Sequence, residues 1–153
     1  MNLQSNAQAH RRLSVFLVED SRDDAFFFQR AVSRSGVDCD VTHFWDGQSA
    51  VELLDKFQLQ GTSPTMPDLM FLDLKMPRLN GFEVLHWIRE AKLQNRVNVI
   101  VLSGSDDRED RHRAGELGAS NYIVKPISPA ALEPILRHFN QPAARRTGER
   151  SPA

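Results

Sequence analysis

Cysteine is almost absent from this chain, Cys39 being the only one in 153 residues. A single thiol excludes an internal disulfide and any cysteine-rich zinc cluster, and it points to a reducing cytoplasm. Long apolar runs are missing as well. Those present, such as Val99–Leu102, fall far short of the ~18 residues a membrane span requires. The opening MNLQSNAQAHRRL carries no apolar export segment. Neither sign of charge is in excess: 19 basic against 20 acidic side chains leave a net charge of −1. That removes the overall attraction expected of a binder of nucleic acid or anionic membrane. The five histidines show neither metal-ligand spacing nor triad partners. What remains is ordinary, with 41% apolar and 25% charged residues. One domain of this length buries roughly 68–70% of its unfolded surface and needs no covalent or metal staple.

The two ends lack the apolar residues that would offset ordering entropy, so 1–12 and 141–153 are expected to be flexible around a body of 13–140. Within that body, short apolar runs at 13–18, 41–44, 69–72, 97–102 and 121–124 carry the β-branched and aromatic residues of strands. Several are apolar without alternation, as strands covered on both faces are. Amphipathic stretches lie between them. Ser21 is an N-cap before acids and Gly36 a stop; a second helix covers about 48–57, ahead of a linker holding Gly61, Pro64 and Pro67. A third starts at Asn80-Gly81, with Phe82, Leu85 and Ile88 on one face. Asp106 with Glu109 reads as the capping box of a fourth, and Ser128-Pro129 as the start of a fifth running to about His138. Five βα units in series predict a doubly wound α/β fold, a five-stranded parallel sheet of flavodoxin-like order 2-1-3-4-5 with helices on both faces.

Such sheets bind ligands outside the carboxyl ends of their strands, so the residues closing each run matter most. They are Glu19-Asp20, Asp73, Ser103 and Lys125. Three carboxylates on one rim would repel by roughly 4 kcal/mol per pair at about 4 Å and an effective dielectric of about 20. A hard divalent cation answers that, and Mg²⁺ is commonly held by one or two carboxylates plus a phosphate oxygen. Lys125 and Ser103 suit the remaining phosphoryl oxygens, and the central Asp73 suits the nucleophile. The residues therefore read as an aspartyl-phosphate site.

LVED (17–20), FLDLKMPRLNGFEVL (71–85), VLSGS (101–105) and YIVKP (122–126) together resemble the receiver domain of two-component response regulators. Ser103 lies 30 positions after Asp73 and Lys125 22 after Ser103, which fits the same family. The resemblance, over about 13–140, implies Asp73 as phosphoacceptor and Asp20 as a direct Mg²⁺ ligand. It also implies Glu19 acting on the metal mostly through water and the Lys75 main-chain carbonyl completing the set. Ser103 is then the hydroxyl switch, Lys125 the phosphate-pairing lysine and Tyr122 the aromatic that reorients on activation. On its residues alone, Tyr122 is equally a core tyrosine with a bonded hydroxyl. The linker and DLKMPRLNG resemble the stand-alone regulators associated with phytochrome-type kinases.

The expected function is that of a signalling protein rather than an enzyme acting on a separate substrate. It takes a phosphoryl group from a sensor histidine kinase or phosphotransfer protein and signals through a downstream protein partner, with no nucleic acid, no membrane and a homodimer left open. About 13 residues after the fifth helix are too few for a DNA-binding domain. A haloacid-dehalogenase-like phosphatase would need a second Asp where Lys75 stands. A constitutive scaffold would not need the complete residue set. Phe26–Phe28, Trp45 and Trp87 are expected to be packing or surface contacts.

Overall fold

The computed structural model describes residues 12–60 and 66–141. The two flexible ends expected from composition lie outside the described residues except for Arg12 and Gln141, and so does the centre of the linker. The strands are β1 (Leu13–Val18), β2 (Cys39–Phe44), β3 (Leu69–Asp73), β4 (Asn98–Ser103) and β5 (Asn121–Val124). The helices are α1 (Arg22–Ser35), α2 (Gly47–Gln60), α3 (Gly81–Glu90), α4 (Arg108–Glu116) and α5 (Pro129–Asn140). Every strand pairing is parallel and the order is β2-β1-β3-β4-β5, the doubly wound arrangement that the alternation of runs predicts.

Local chemistry starts most helices where the sequence places them. Ser21 Oγ accepts the Asp24 N–H at 3.3 Å, and Gly36 ends α1 in the left-handed conformation at φ 74°, which costs glycine nothing. Asn80 and Glu83 close a reciprocal capping box on α3, with bonds of 3.0 and 3.3 Å. Ser128 caps α5 ahead of Pro129. The start of α4 differs from expectation. Asp107, not Asp106, is the cap, and its Oδ1 accepts the N–H groups of Glu109 and Asp110 at 2.8 and 3.1 Å. Asp106 instead pairs with Arg111 at 2.7 Å. Two adjacent aspartates offer the same cap, and the backbone turn decides between them. Other boundaries also move: β2 begins at Cys39 rather than Val41, α2 runs from Gly47 to Gln60, beyond Phe57, β4 covers Asn98–Ser103 rather than 97–102, and α5 runs on to Asn140.

Strand periodicity sorts the core into two layers. Phe16, Val18, Met70, Leu72, Val99 and Val101 face Leu54, Val84, Leu85 and Ile88, on the side of α2 and α3. Val15, Leu17, Leu69, Phe71, Ile100 and Leu102 face Phe28, Val32, Leu132 and Leu136, on the side of α1 and α5. Central β3 is buried at all five positions, whereas edge strand β2 alternates. Phe28 packs on Phe71 with ring centroids 4.8 Å apart, while Phe26, Phe27 and Trp45 remain more than half exposed. The third helix buries Val84, Leu85 and Ile88, with Phe82 only partly covered. Among the described residues, no helix is long and apolar enough to cross a membrane.

Cys39 lies partly buried at the start of β2. Burial first, and the Asp38 charge second, push its thiol up to about 11, against the opposing charge of Arg12. The thiolate is the reactive form, so a disulfide reagent at about pH 8 should modify folded protein about a hundredfold more slowly than urea-unfolded protein. Equal rates in the two states would show that the thiol is not shielded.

Candidate functional site

The sheet order reverses between β1 and β3, where β1 leads outward to β2 and β3 leads on to β4. A crevice is expected outside the carboxyl ends there. Main-chain bonds carry the ladders just past the strand ends and so fix the residues that line it. The Glu19 N–H donates to the Phe44 carbonyl at 3.0 Å. The Glu19 carbonyl accepts from His43 Nε2 at 2.8 Å, which assigns the proton to that nitrogen. On the other side the Lys125 N–H donates to the Ser103 carbonyl at 2.8 Å. Asp73 and Ser103 are themselves the last residues of β3 and β4.

These positions bring the three expected metal carboxylates together. Glu19, Asp20 and Asp73 each present an oxygen within 4.8 Å of the others, with Glu19 and Asp73 buried and Asp20 exposed. Lys125 Nζ enters the same space, 2.8 and 3.0 Å from the two Glu19 oxygens and 3.4 Å from Asp73 Oδ2. One ammonium cannot neutralise three crowded carboxylates, and two of them have little access to water. Burial pushes the Glu19 carboxyl up to about 8; the Asp73 charge adds to the rise, and the bond and charge of Lys125 oppose it. Burial alone would lower the Lys125 pKa, but its bonds to Glu19 and Asp24 and the Asp73 charge outweigh that and raise it. The carboxylates around it hold Lys125 as an ammonium. An oxygen-only donor set with excess negative charge fits a hard divalent cation.

The other expected residues fall around this cluster. The Lys75 N–H donates to Asp73 Oδ1 at 3.2 Å, which orients the carboxylate, while the Lys75 residue is exposed. Ser103 is 1% exposed, and its Oγ accepts the Ser105 N–H at 3.2 Å. Tyr122 is buried and its hydroxyl donates to the Ser105 carbonyl at 2.7 Å, so the loop after Ser103 is tied to β5. The Arg111 guanidinium lies 4.6 Å from the centre of the tyrosine ring. Gly104 faces open space, so a Cβ there would meet nothing within 4 Å. One participant was not legible beforehand. Asp24 Oδ2 lies 2.9 Å from Lys125 Nζ. Burial would raise the Asp24 pKa, but the bond and charge of Lys125 outweigh that and take it below the usual carboxylate range. In the sequence Asp24 is only an acid in the first turn of a helix, and nothing there shows that Lys125 reaches it.

Known proteins resemble this chain in sequence and fold. FilR2 of Methanothrix harundinacea (strain 6Ac), a probable methanogenesis regulatory protein, is 32% identical over 114 residues, which span 74% of this chain and 72% of that protein. Other curated relatives are longer, and the chain spans only 48%, 36% and 25% of three of them. The phosphorylated cyanobacterial phytochrome response regulator RcpA superposes with a TM-score of 0.65 at 30% identity, over 83% of this chain and 90% of that one. The bacteriophytochrome response regulator AtBRR gives 0.67 at 26% identity, over 80% and 88%. Residues 15–137 match the response regulator receiver domain. The chain thus belongs to the receiver-domain family of two-component response regulators, signalling modules whose phosphoacceptor aspartate lies in an acidic pocket of this kind.

Proposed function

We propose that the chain, with 13–140 as its receiver domain, takes a phosphoryl group onto Asp73 from a histidine kinase or phosphotransfer protein in a Mg²⁺-dependent reaction. The observation that carries this reading is the setting of Asp73. It closes the central strand, with Oδ1 held by the Lys75 N–H and Oδ2 facing Lys125, beside the oxygens of Glu19 and Asp20. An Asp73 oxygen attacks the phosphorus of a phosphohistidine and forms an O–P bond. The P–N bond breaks, its electron pair returns to the imidazole nitrogen, and an acyl phosphate remains on Asp73. Lys125 and Ser103 stabilise phosphoryl oxygens as charge moves through the transition state. Glu19, Asp20, Asp73 and the Lys75 carbonyl would hold the cation, Glu19 mostly through water. When bound, it neutralises carboxylate and phosphoryl charge.

Phosphorylation adds a charge of about −1.5 to −2 and draws the Ser103 hydroxyl and Lys125 toward it. Ser103 then gives up the Ser105 N–H, and because Tyr122 is bonded to the Ser105 carbonyl the change reaches β5 and α4. The loop and Tyr122 form the switch, which shifts a pre-existing equilibrium. Its output is binding, either to a downstream protein or to a second copy of the chain, in the cytoplasm. The likeness to AtBRR and RcpA, both phytochrome response regulators, favours a phytochrome-type kinase and a stand-alone regulator.

The test is transfer of labelled phosphate from a panel of purified histidine kinases that includes phytochrome-type members. At least one should label the chain within minutes; failure with every kinase and with small phosphodonors would overturn the reading. Ser103→Ala should still accept phosphate but lose most of the phosphorylation-dependent change in partner binding or dimerisation. An undiminished response in that variant would remove Ser103 from the switch.

A further inference from the structure

The Lys125 ammonium has three N–H donors and more carboxylates than it can serve. Its contacts are Glu19 Oε1 at 2.8 Å, Glu19 Oε2 at 3.0 Å, Asp24 Oδ2 at 2.9 Å and Asp73 Oδ2 at 3.4 Å. Glu19 and Asp73 belong to the trio of converging carboxylates. Asp24 does not. It comes from the first turn of α1, and its side chain is 41% exposed, against 2% for Glu19 and 8% for Asp73.

This difference separates their tasks. Once a cation is held by the trio, Glu19 must share its oxygens, and Asp73 must turn an oxygen toward phosphorus. Asp24 alone among the three partners keeps both oxygens free of that work. Its backbone is also well placed to hold still: its N–H is bonded to the Ser21 cap, and one turn on, Phe28 is buried against Phe71. A lysine stem has four rotatable bonds, so an ammonium with only its charge to guide it is spread over many positions.

We propose that Asp24 is a positioning residue for phosphoryl transfer, holding the Lys125 ammonium at the α1 side of the rim so that its remaining N–H groups face Asp73 and the phosphoryl oxygens. The proposal rests on the reading of Asp73 as phosphoacceptor. Asp24 also complements the helix dipole of α1. Asp23 does that equally and makes no contact with Lys125 among the described residues, so it is the control.

The experiment compares wild type, Asp24→Asn, Asp24→Glu and Asp23→Asn in two measurements. One is the rate of phosphorylation by acetyl phosphate with Mg²⁺. The other is nitrogen-15 NMR of the lysine ammonium groups, with the Lys125 signal assigned by its loss in Lys125→Arg. Asp24→Asn should be phosphorylated roughly three- to tenfold more slowly, and its Lys125 signal should broaden as the ammonium exchanges with solvent. Asp24→Glu, which restores the charge, should recover the rate to within about twofold, and Asp23→Asn should match wild type in both measurements. The partial exposure of Asp24 leaves folding intact in the asparagine variant. Labelled wild type with an equal or faster rate for Asp24→Asn, or an unchanged Lys125 signal, defeats the proposal alone. Wild type that takes no label from any donor defeats the phosphoacceptor reading, and this proposal with it.

Discussion

Acetyl phosphate with Mg²⁺ should add one phosphoryl group to the chain, at Asp73, and Asp73→Asn should remain unlabelled. The site offers four carboxylates, and the structure distinguishes them. Glu19 has both oxygens bonded to Lys125, and Asp24 shares the same ammonium. Asp20 is exposed and follows β1, which β3 separates from the strand that ends in Ser103. Asp73 stands on the central strand between β1 and β4, within reach of Lys125 and next to the strand that ends in Ser103. An amide has no carboxylate oxygen to form the acyl phosphate, so labelling should fall by at least roughly a hundredfold. Removing the cation with EDTA should abolish labelling of wild type. The measurement is intact-protein mass with hydroxylamine sensitivity, which identifies an acyl phosphate. Comparable labelling of Asp73→Asn would sink the assignment.

The second large effect concerns stability and comes from two glycines with opposite surroundings. Gly81 is the first residue of α3, and its N–H donates to the Leu74 carbonyl at 3.0 Å. A Cβ at this position would run into the Asp73 carbonyl oxygen and lie 2.7 Å from Leu74 Cα. Both obstacles are main chain at the end of β3, so neither can rotate away. Gly81→Ala should cost about 2–3 kcal/mol and lower the melting temperature by roughly 5–10 °C. It should also slow phosphorylation, because relief of the clash moves the segment that carries Asp73. Gly115 lies within α4, where a Cβ would meet nothing within 4 Å. There alanine removes the glycine penalty, and Gly115→Ala should gain about 0.5–1 kcal/mol. Thermal melts of the two variants decide the matter: Gly81→Ala within a degree or so of wild type would mean that the two segments separate freely.

Local sequence chemistry determined much of this protein. The five apolar runs, the caps at Ser21, Asn80 and Ser128 and the stop at Gly36 depend on neighbours within a few positions, and all were legible in order along the chain. The rim residues Glu19, Asp20, Asp73, Ser103 and Lys125 were legible for a related reason. A parallel sheet gathers its strand ends on one side, so knowing where the runs stop already groups these residues. The choice of Asp107 over Asp106 was not legible, because two neighbouring acids are equal until the loop takes its turn. The same holds for Gly81 and Gly104, alike as letters, of which one presses on main chain and the other faces open space. Asp24 shows the limit most plainly. Its partner Lys125 is 101 residues away, and their contact exists because α1 packs against α5 and meets the segment 125–127 that leads into it. Periodicity and capping act over a few residues, whereas a charge pair across the rim depends on how whole helices settle against the sheet, and only the tertiary structure decides that.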